Sequence, residues 1–206
     1  AGDEELAGWL QKAIGYSLTG STREQVFFVL HGGGSNGKST LLELLAELFG
    51  EYHRKTPTST LLEQAGDRIP NDVARLCGAR MVTAEETTAE KKLAESLVKS
   101  MVGGDRLTAR FLNCEYFEFR PSFKLWLACN HLPRIDGQDH AIWRRIRVVP
   151  FCVTFDEDRT GAMPIDRELP AKLRAELPGI LAWAVQGCLR WRAEGLGTCA
   201  PVNAAT

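Results

Sequence analysis

The chain lacks any long apolar run. No stretch approaches the twenty or so residues that cross a bilayer, which sets aside a membrane-spanning helix, and no signal peptide is visible in these residues. It also lacks net charge: 25 Lys and Arg against 26 Asp and Glu leave −1. A global basic field that recruits nucleic acid is therefore excluded, and any such binding has to come from basic groups concentrated in a channel or patch. Cysteines are present but without arrangement. The six, at 77, 114, 129, 152, 188 and 199, form no CxxC pair and no zinc-like spacing with the four histidines. This excludes a zinc finger or a disulfide framework and predicts scattered, mostly buried thiols of a reducing cytosol. Internal repeats and low-complexity segments are missing too. What remains, at 206 residues with 44% hydrophobic and 25% charged, is one ordinary globular core or a core with a small helical cap. The abrupt opening at Ala1-Gly2 and the close at PVNAAT read as a domain cut from a longer protein.

Periodicity organises the chain. Leu6, Trp9, Leu10, Ala13 and Ile14 recur at helical spacing before GYSLTGST breaks the pattern. VFFVL (26–30) is a continuous apolar run that predicts a buried parallel strand. It leads into HGGGSNGKST (31–40), which reads G-x-x-x-x-G-K-[ST] from Gly32 to Ser39. Leu41, Leu44, Leu45 and Leu48 then keep helical spacing until Gly50. Strand, glycine loop, helix is the context a phosphate-binding loop requires. Further strands are expected at RMVTA (80–84), FKLWLAC (123–129) and IRVVPF (146–151), and a helix over Leu93–Met101 ending at Gly103-Gly104. DRLTARF and EYFEFR alternate around LNC and predict a β-hairpin. Leu169–Trp191 reads as helix broken at Pro178-Gly179, and the acidic DEDRTG (156–161) as a solvated loop. The expected fold is α/β, a mainly parallel central sheet of about five strands flanked by helices, with an inserted hairpin and short helical segments at both ends. The division is residues 1–25 as a helical prelude, 26–155 as the P-loop core and 156–206 as a closing helical segment.

In such a loop the backbone amides and the following helix N-terminus point at phosphate oxygens. Gly32, Gly33, Gly34 and Gly37 let the backbone approach, Lys38 bridges β- and γ-phosphates, and Ser39 offers a hydroxyl to Mg²⁺. The implied ligand is ATP with Mg²⁺. Glu85-Glu86 close a core strand on the edge where such sheets bind ligands, as metal holder and water activator, or else as a solvated pair opening the next helix. Asn130 ends the third core strand, where a carboxamide orients a lytic water or serves simply as a turn residue. Arg144, Arg145 and Arg147 offer an arginine finger for a neighbouring subunit, or solvated edge arginines flanking Ile146 and Val148.

GGGSNGKST, ARMVTAEET, GGDRLTARFLNCEYFEF, FKLWLACNHLPRI and AIWRRIRVVPF, in this order, resemble the helicase domain of superfamily 3, closest to phage and plasmid primase-helicases and the branch with the poxvirus primase-helicase. The likeness covers nearly the whole chain. It implies an AAA+-like DNA helicase and ATPase that assembles as a homo-oligomeric, hexameric ring on single-stranded DNA, beside a primase in the same protein or a separate one, in the cytoplasm of a bacterial host. By motif position Gly32–Thr40 would be Walker A, with Ser35, Asn36 and Thr40 among its nucleotide-binding residues, and Glu85-Glu86 the Walker B acids, with Glu86 where the family carries its glutamate and Glu85 where many members have serine. Asn130 would be sensor 1, Arg144 (or Arg145) the finger, and Arg106–Arg120 the channel hairpin. Arg106 and Arg110 would meet DNA phosphates, Phe111 or Tyr116 would stack on a base, and Asn113 stands where relatives carry a basic or large tip residue. The open alternatives are a DNA-loading or assembly module with little unwinding and, less favoured, a P-loop phosphotransferase.

Overall fold

An apolar run without polar alternation forms a strand buried on both faces, and Val26–Leu30 does so. In the computed structural model, which describes residues 3–63, 71–85, 92–135, 140–156 and 162–206, β1 is Phe27–His31. It lies inside a parallel sheet with β2 (His53–Lys55), β3 (Met81–Glu85), β6 (Lys124–Cys129) and β7 (Ile146–Pro150). Among the described residues the sheet has five strands in the order β2-β3-β6-β1-β7. The register pairs His31 with Cys129 and Glu85 with Ala128, so the strands end together on one edge. A separate ribbon of β4 (Leu107–Ala109) and β5 (Phe117–Phe119) is antiparallel, as expected for the hairpin. The expected α/β architecture is the observed one.

Side-chain alternation divides the core in two. Phe27 and Val29 point to one face, with Val82, Leu125, Leu127 and Val148. That face is covered by α3 (Asn71–Ala74), α4 (Glu95–Gly103) and the ribbon's Leu107 and Ala109. Phe28 and Leu30 point to the other, with Trp126, Ala128 and Val149, under α1 (Glu4–Ser17), α2 (Lys38–Phe49) and the later helices. Trp126 stacks on Phe28 at 4.3 Å between centroids and donates its indole N–H to Ser17 Oγ. The sheet edge at β7 is closed by α8 (Ala200–Ala205): the Val148 N–H, which would otherwise face solvent on an edge strand, donates to Thr206 Oγ1 at 3.0 Å.

Helix α1 docks on α7 (Leu177–Glu194) at a distance only glycine allows. A Cβ on Gly15 would sit 2.1 Å from the Cys188 nitrogen, and one on Gly187 2.0 Å from the Gln11 oxygen. The start of the sheet is tied to the prelude by Lys124. This buried side chain donates to the carbonyls of Thr19, Ser21 and Ser122. Burial, with Arg80 nearby, pushes its pKa down to about 7, against the three carbonyls that favour the ammonium.

Three expectations change. The break in the C-terminal helix falls at Glu176, between α6 (Leu169–Ala175) and α7, not at Pro178-Gly179. Pro178 sits in the first turn of α7, where a missing N–H costs nothing. The thiols are not mostly buried: Cys129 and Cys199 are, Cys188 is half-buried, and Cys77, Cys114 and Cys152 lie exposed in turns and connecting segments. The strand β2 was not expected at all, since HRK is polar and pairs only at a sheet edge. Residues 157–161 of the acidic loop lie outside the described residues.

Candidate functional site

The loop between β1 and α2 bends back over the ends of three neighbouring strands. Gly32 permits this: a Cβ there would meet Asn36 Nδ2 and the Phe151 carbonyl, each at 2.3 Å. Asn36, buried in turn, spends its amide on the Phe151 carbonyl (3.1 Å), which turns its Oδ1 toward the loop interior. Lys38 opens α2 and is only 6% exposed. Its ammonium donates to Gly32 O (2.7 Å), Asn36 Oδ1 (2.9 Å) and Asn130 Oδ1 (3.0 Å), one acceptor for each hydrogen. Burial lowers its pKa below the ordinary lysine range. Around it opens a cleft of about 330 Å³ lined by residues 34–40, Glu85 and residues 128–130. The cleft thus brings together Gly34, Ser35, Asn36, Gly37, Lys38, Ser39, Thr40, Glu85 and Asn130; Gly33 lies exposed on the same loop.

Glu85 reaches the cleft from the end of β3. Its carboxylate accepts from Lys55 Nζ at 2.6 Å, across from the end of β2, and its carbonyl accepts from Thr58 Oγ1. Glu86 lies outside the described residues.

The predicted arginines are not brought to this cleft. Arg144 and Arg145 precede β7 and so stand at the edge where the strands begin, a strand length of roughly 15 Å from the glycine loop. Arg144 is exposed. Arg145 turns inward, donating to the Ala141 carbonyl at 2.5 Å, and its buried Nε has no partner among the described residues. Arg147 caps its own segment, donating to Arg144 O and Ile146 O.

The ribbon is rooted at that same edge, since α4 ends against Thr22 and Gln25, just ahead of β1. Its loop is a seven-residue excursion with Phe111, Leu112 and Tyr116 exposed. Arg106 is paired with Glu118 at 3.2 Å, and the Arg110 guanidinium lies 4.6 Å over the Tyr116 ring. Phe111 stacks on Phe117. Asn113 takes φ +61, the left-handed turn position, closed by a Cys114 N–H to Phe111 O bond.

Residues 30–145 match a family described as of unknown function, DUF5906, over more than half of the chain. The chain belongs to the DUF5906 family. Among curated proteins this DUF5906 chain is 34% identical over 155 residues to "Putative helicase L207/L206" of Acanthamoeba polyphaga mimivirus, covering 74% of the chain and 16% of that protein. It is 34% identical over 185 residues to "Putative helicase 022R" of Frog virus 3, covering 83% and 19%. A protein of African swine fever virus named "Putative primase C962R" is 29% identical over 151 residues, covering 70% and 16%. The chain therefore spans between a sixth and a fifth of the length of these relatives. In fold it is similar to the apo C-terminal region of NrS-1, with a TM-score of 0.71 at 16% identity, over 99% of this chain and 48% of that one.

Three contributors to the DUF5906 site were not expected from the sequence: Lys55 on Glu85, Thr58 under it, and the Phe151 carbonyl that orients Asn36. Only Lys55 carried a signal, a cation after two polar residues, and it becomes readable only once β2 is known to lie beside β3. Among the described residues no helix is long and apolar enough to cross a membrane, and no group of three or more His, Cys, Asp or Glu could hold a metal.

Proposed function

We propose that this chain is the ATP-hydrolysing, DNA-stimulated helicase domain of a replicative primase-helicase, of superfamily 3, working as a hexameric ring on single-stranded DNA. One observation carries the reading. A buried lysine sits on the floor of an open cleft, beside an exposed serine hydroxyl and one carboxylate, at the carboxyl ends of adjacent parallel strands. The oxygens around Lys38 are neutral, so an incoming triphosphate offers it the first full countercharge it meets. Magnesium fits this donor set: it takes hard oxygens, one or two carboxylates with phosphates and retained waters, and Ser39 and Glu85 supply that. When bound it neutralises phosphate charge. Lys38 binds the transferring phosphate, Asn130 orients the attacking water, Glu86 accepts its proton, and Arg144 of a neighbouring subunit spreads the developing charge. The hairpin grips DNA through Arg106, Arg110 and Phe111. The names of the viral relatives and the likeness to the NrS-1 region support this reading.

A second reading, a DNA-loading module with little unwinding, has one observation in its favour: Arg106 is neutralised by Glu118, and Glu115 adds an acid to the loop. Hydrolysis with and without single-stranded DNA, followed by strand displacement, separates the two. We expect stimulated hydrolysis and displacement in the wild type. Lys38→Ala is expected to abolish nucleotide binding and turnover, and Glu86→Gln to bind without turnover. Stimulation without displacement establishes the loader. Transfer of phosphate to a small acceptor, with no effect of DNA, establishes a phosphotransferase.

A further inference from the structure

Next to the phosphate cleft lies a second cavity, of about 390 Å³, that shares Ser35, Gly37 and Thr40 with it. That volume is within the range of small-molecule sites, roughly 300–1,000 Å³. Its character is opposite to the cleft's. Phe155, Pro164, Ile165, Leu169 and Pro170 make its walls apolar. Ile165 and Leu169 remain 45% and 39% exposed, large apolar groups left at the mouth of a polar site.

The walls are held in place from several sides. The Phe155 amide donates to Ser35 O at 2.7 Å, pinning the segment after β7 to the glycine loop. A Cβ on Gly37 would lie 3.9 Å from Phe155 Cε2, so the ring abuts the loop. Met163 pairs with Thr154 and Asp156 through backbone bonds, which folds the chain from Pro164 onward back over the loop. Helix α6 is clamped to α2 by Arg174, whose guanidinium makes a two-pronged bond to Glu47. Asp166 and Arg167 also line the cavity, and the Asp166 carboxylate there accepts from Lys172 and the Glu168 amide.

We infer that this cavity is the nucleobase subsite: it takes the heterocycle of the nucleotide whose phosphates occupy the adjoining cleft, and holds it by its faces against Phe155, Ile165 and Leu169. The inference rests on the triphosphate reading above. Continuity points to the occupant, because the two cavities share Ser35, Gly37 and Thr40, so a ligand whose phosphates sit on that loop has the apolar walls directly beside it. A flat apolar ring fits such walls, and a free phosphate does not. The C-terminal segment thereby becomes part of the nucleotide site in the same chain.

The test compares two probes, a non-hydrolysable ATP analogue and inorganic tripolyphosphate, each with Mg²⁺, by titration calorimetry. The wild type is expected to hold the analogue about tenfold or more tighter than tripolyphosphate, the scale of one base–aromatic contact. Phe155→Ala and Ile165→Ser should each erase most of that margin while leaving tripolyphosphate affinity in place. Ile165 is surface-exposed, so its variant decides the matter should Phe155→Ala fail to fold. A margin unchanged in the folded variants overturns the inference, and so does an equal loss for both probes. Equal affinity of the wild type for the two probes overturns it while the triphosphate reading stands. A wild type that binds neither probe removes both.

Discussion

At the scale of single residues, the two charges of the cleft are held differently. Lys38 has only neutral oxygens for company, whereas Glu85 is already engaged by Lys55. A metal that uses Glu85 therefore competes with an ammonium 2.6 Å away. Lys55 is largely exposed, so the pair is weak, on the order of 0–1 kcal/mol, and release is easy. Lys55→Ala is expected to lower the Mg²⁺ concentration for half-maximal nucleotide binding by up to about fivefold. A fluorescent nucleotide titrated at several Mg²⁺ concentrations measures it, and an unmoved midpoint means that the pair does not restrain Glu85. The Lys38 part of this site was legible because its motif is contiguous. The Lys55 part was not, because thirty residues and a strand pairing separate it from Glu85.

At the scale of elements, two devices stand out. The hairpin presents Phe111, Leu112 and Tyr116 to solvent, while its arginines are partly spent on Glu118 and Tyr116. A lysine at Asn113, the obvious way to restore a basic tip, falls on a left-handed backbone position and costs roughly 1 kcal/mol or more. Leu112→Lys, at the most exposed apolar residue of the loop, avoids that strain. We expect it to strengthen single-stranded DNA binding and Arg110→Ala to weaken it, in fluorescence anisotropy at several salt concentrations, with basal hydrolysis nearly unchanged. Unaltered affinity in both would remove the hairpin as the DNA contact. The second device is the glycine contact of α1 with α7. Gly15→Ala forces a methyl into the backbone of Cys188, and overpacking of this kind costs typically 1–3 kcal/mol. A clearly lowered thermal midpoint is expected, and an unshifted melt would show that α1 is not held through this contact.

For the whole molecule, the informative fact is polarity along the strands. The glycine loop, Glu85 and Asn130 lie where the strands end, and Arg144 and the hairpin root lie where they begin. Arg144 therefore cannot serve its own cleft without rebuilding the sheet, and a finger role requires a second copy. Arg144→Ala is expected to bind ATP nearly normally and to hydrolyse it about a thousandfold more slowly. Mixing it with Lys38→Ala should restore part of the activity, since some interfaces then pair an intact cleft with an intact arginine. No recovery in mixtures shown to co-assemble would count against action between subunits and leave Arg144 a surface residue of the strand edge.

What the sequence determined by itself was whatever is written locally. Continuous apolar runs became β1, β3, β6 and β7, the Gly32–Ser39 motif became the glycine loop between β1 and α2, and alternation around Leu112–Cys114 became the ribbon. Each depends on neighbours a few residues apart, whose side-chain period sets the backbone. Tertiary structure alone decided the rest. The order β2-β3-β6-β1-β7 seats strands beside partners far along the chain, so it decides that Lys55 meets Glu85, that Asn130 meets Lys38, and that the segment around Phe155 folds against the glycine loop. No local pattern carries that order, because it is chosen by which faces can be buried together once all the strands exist.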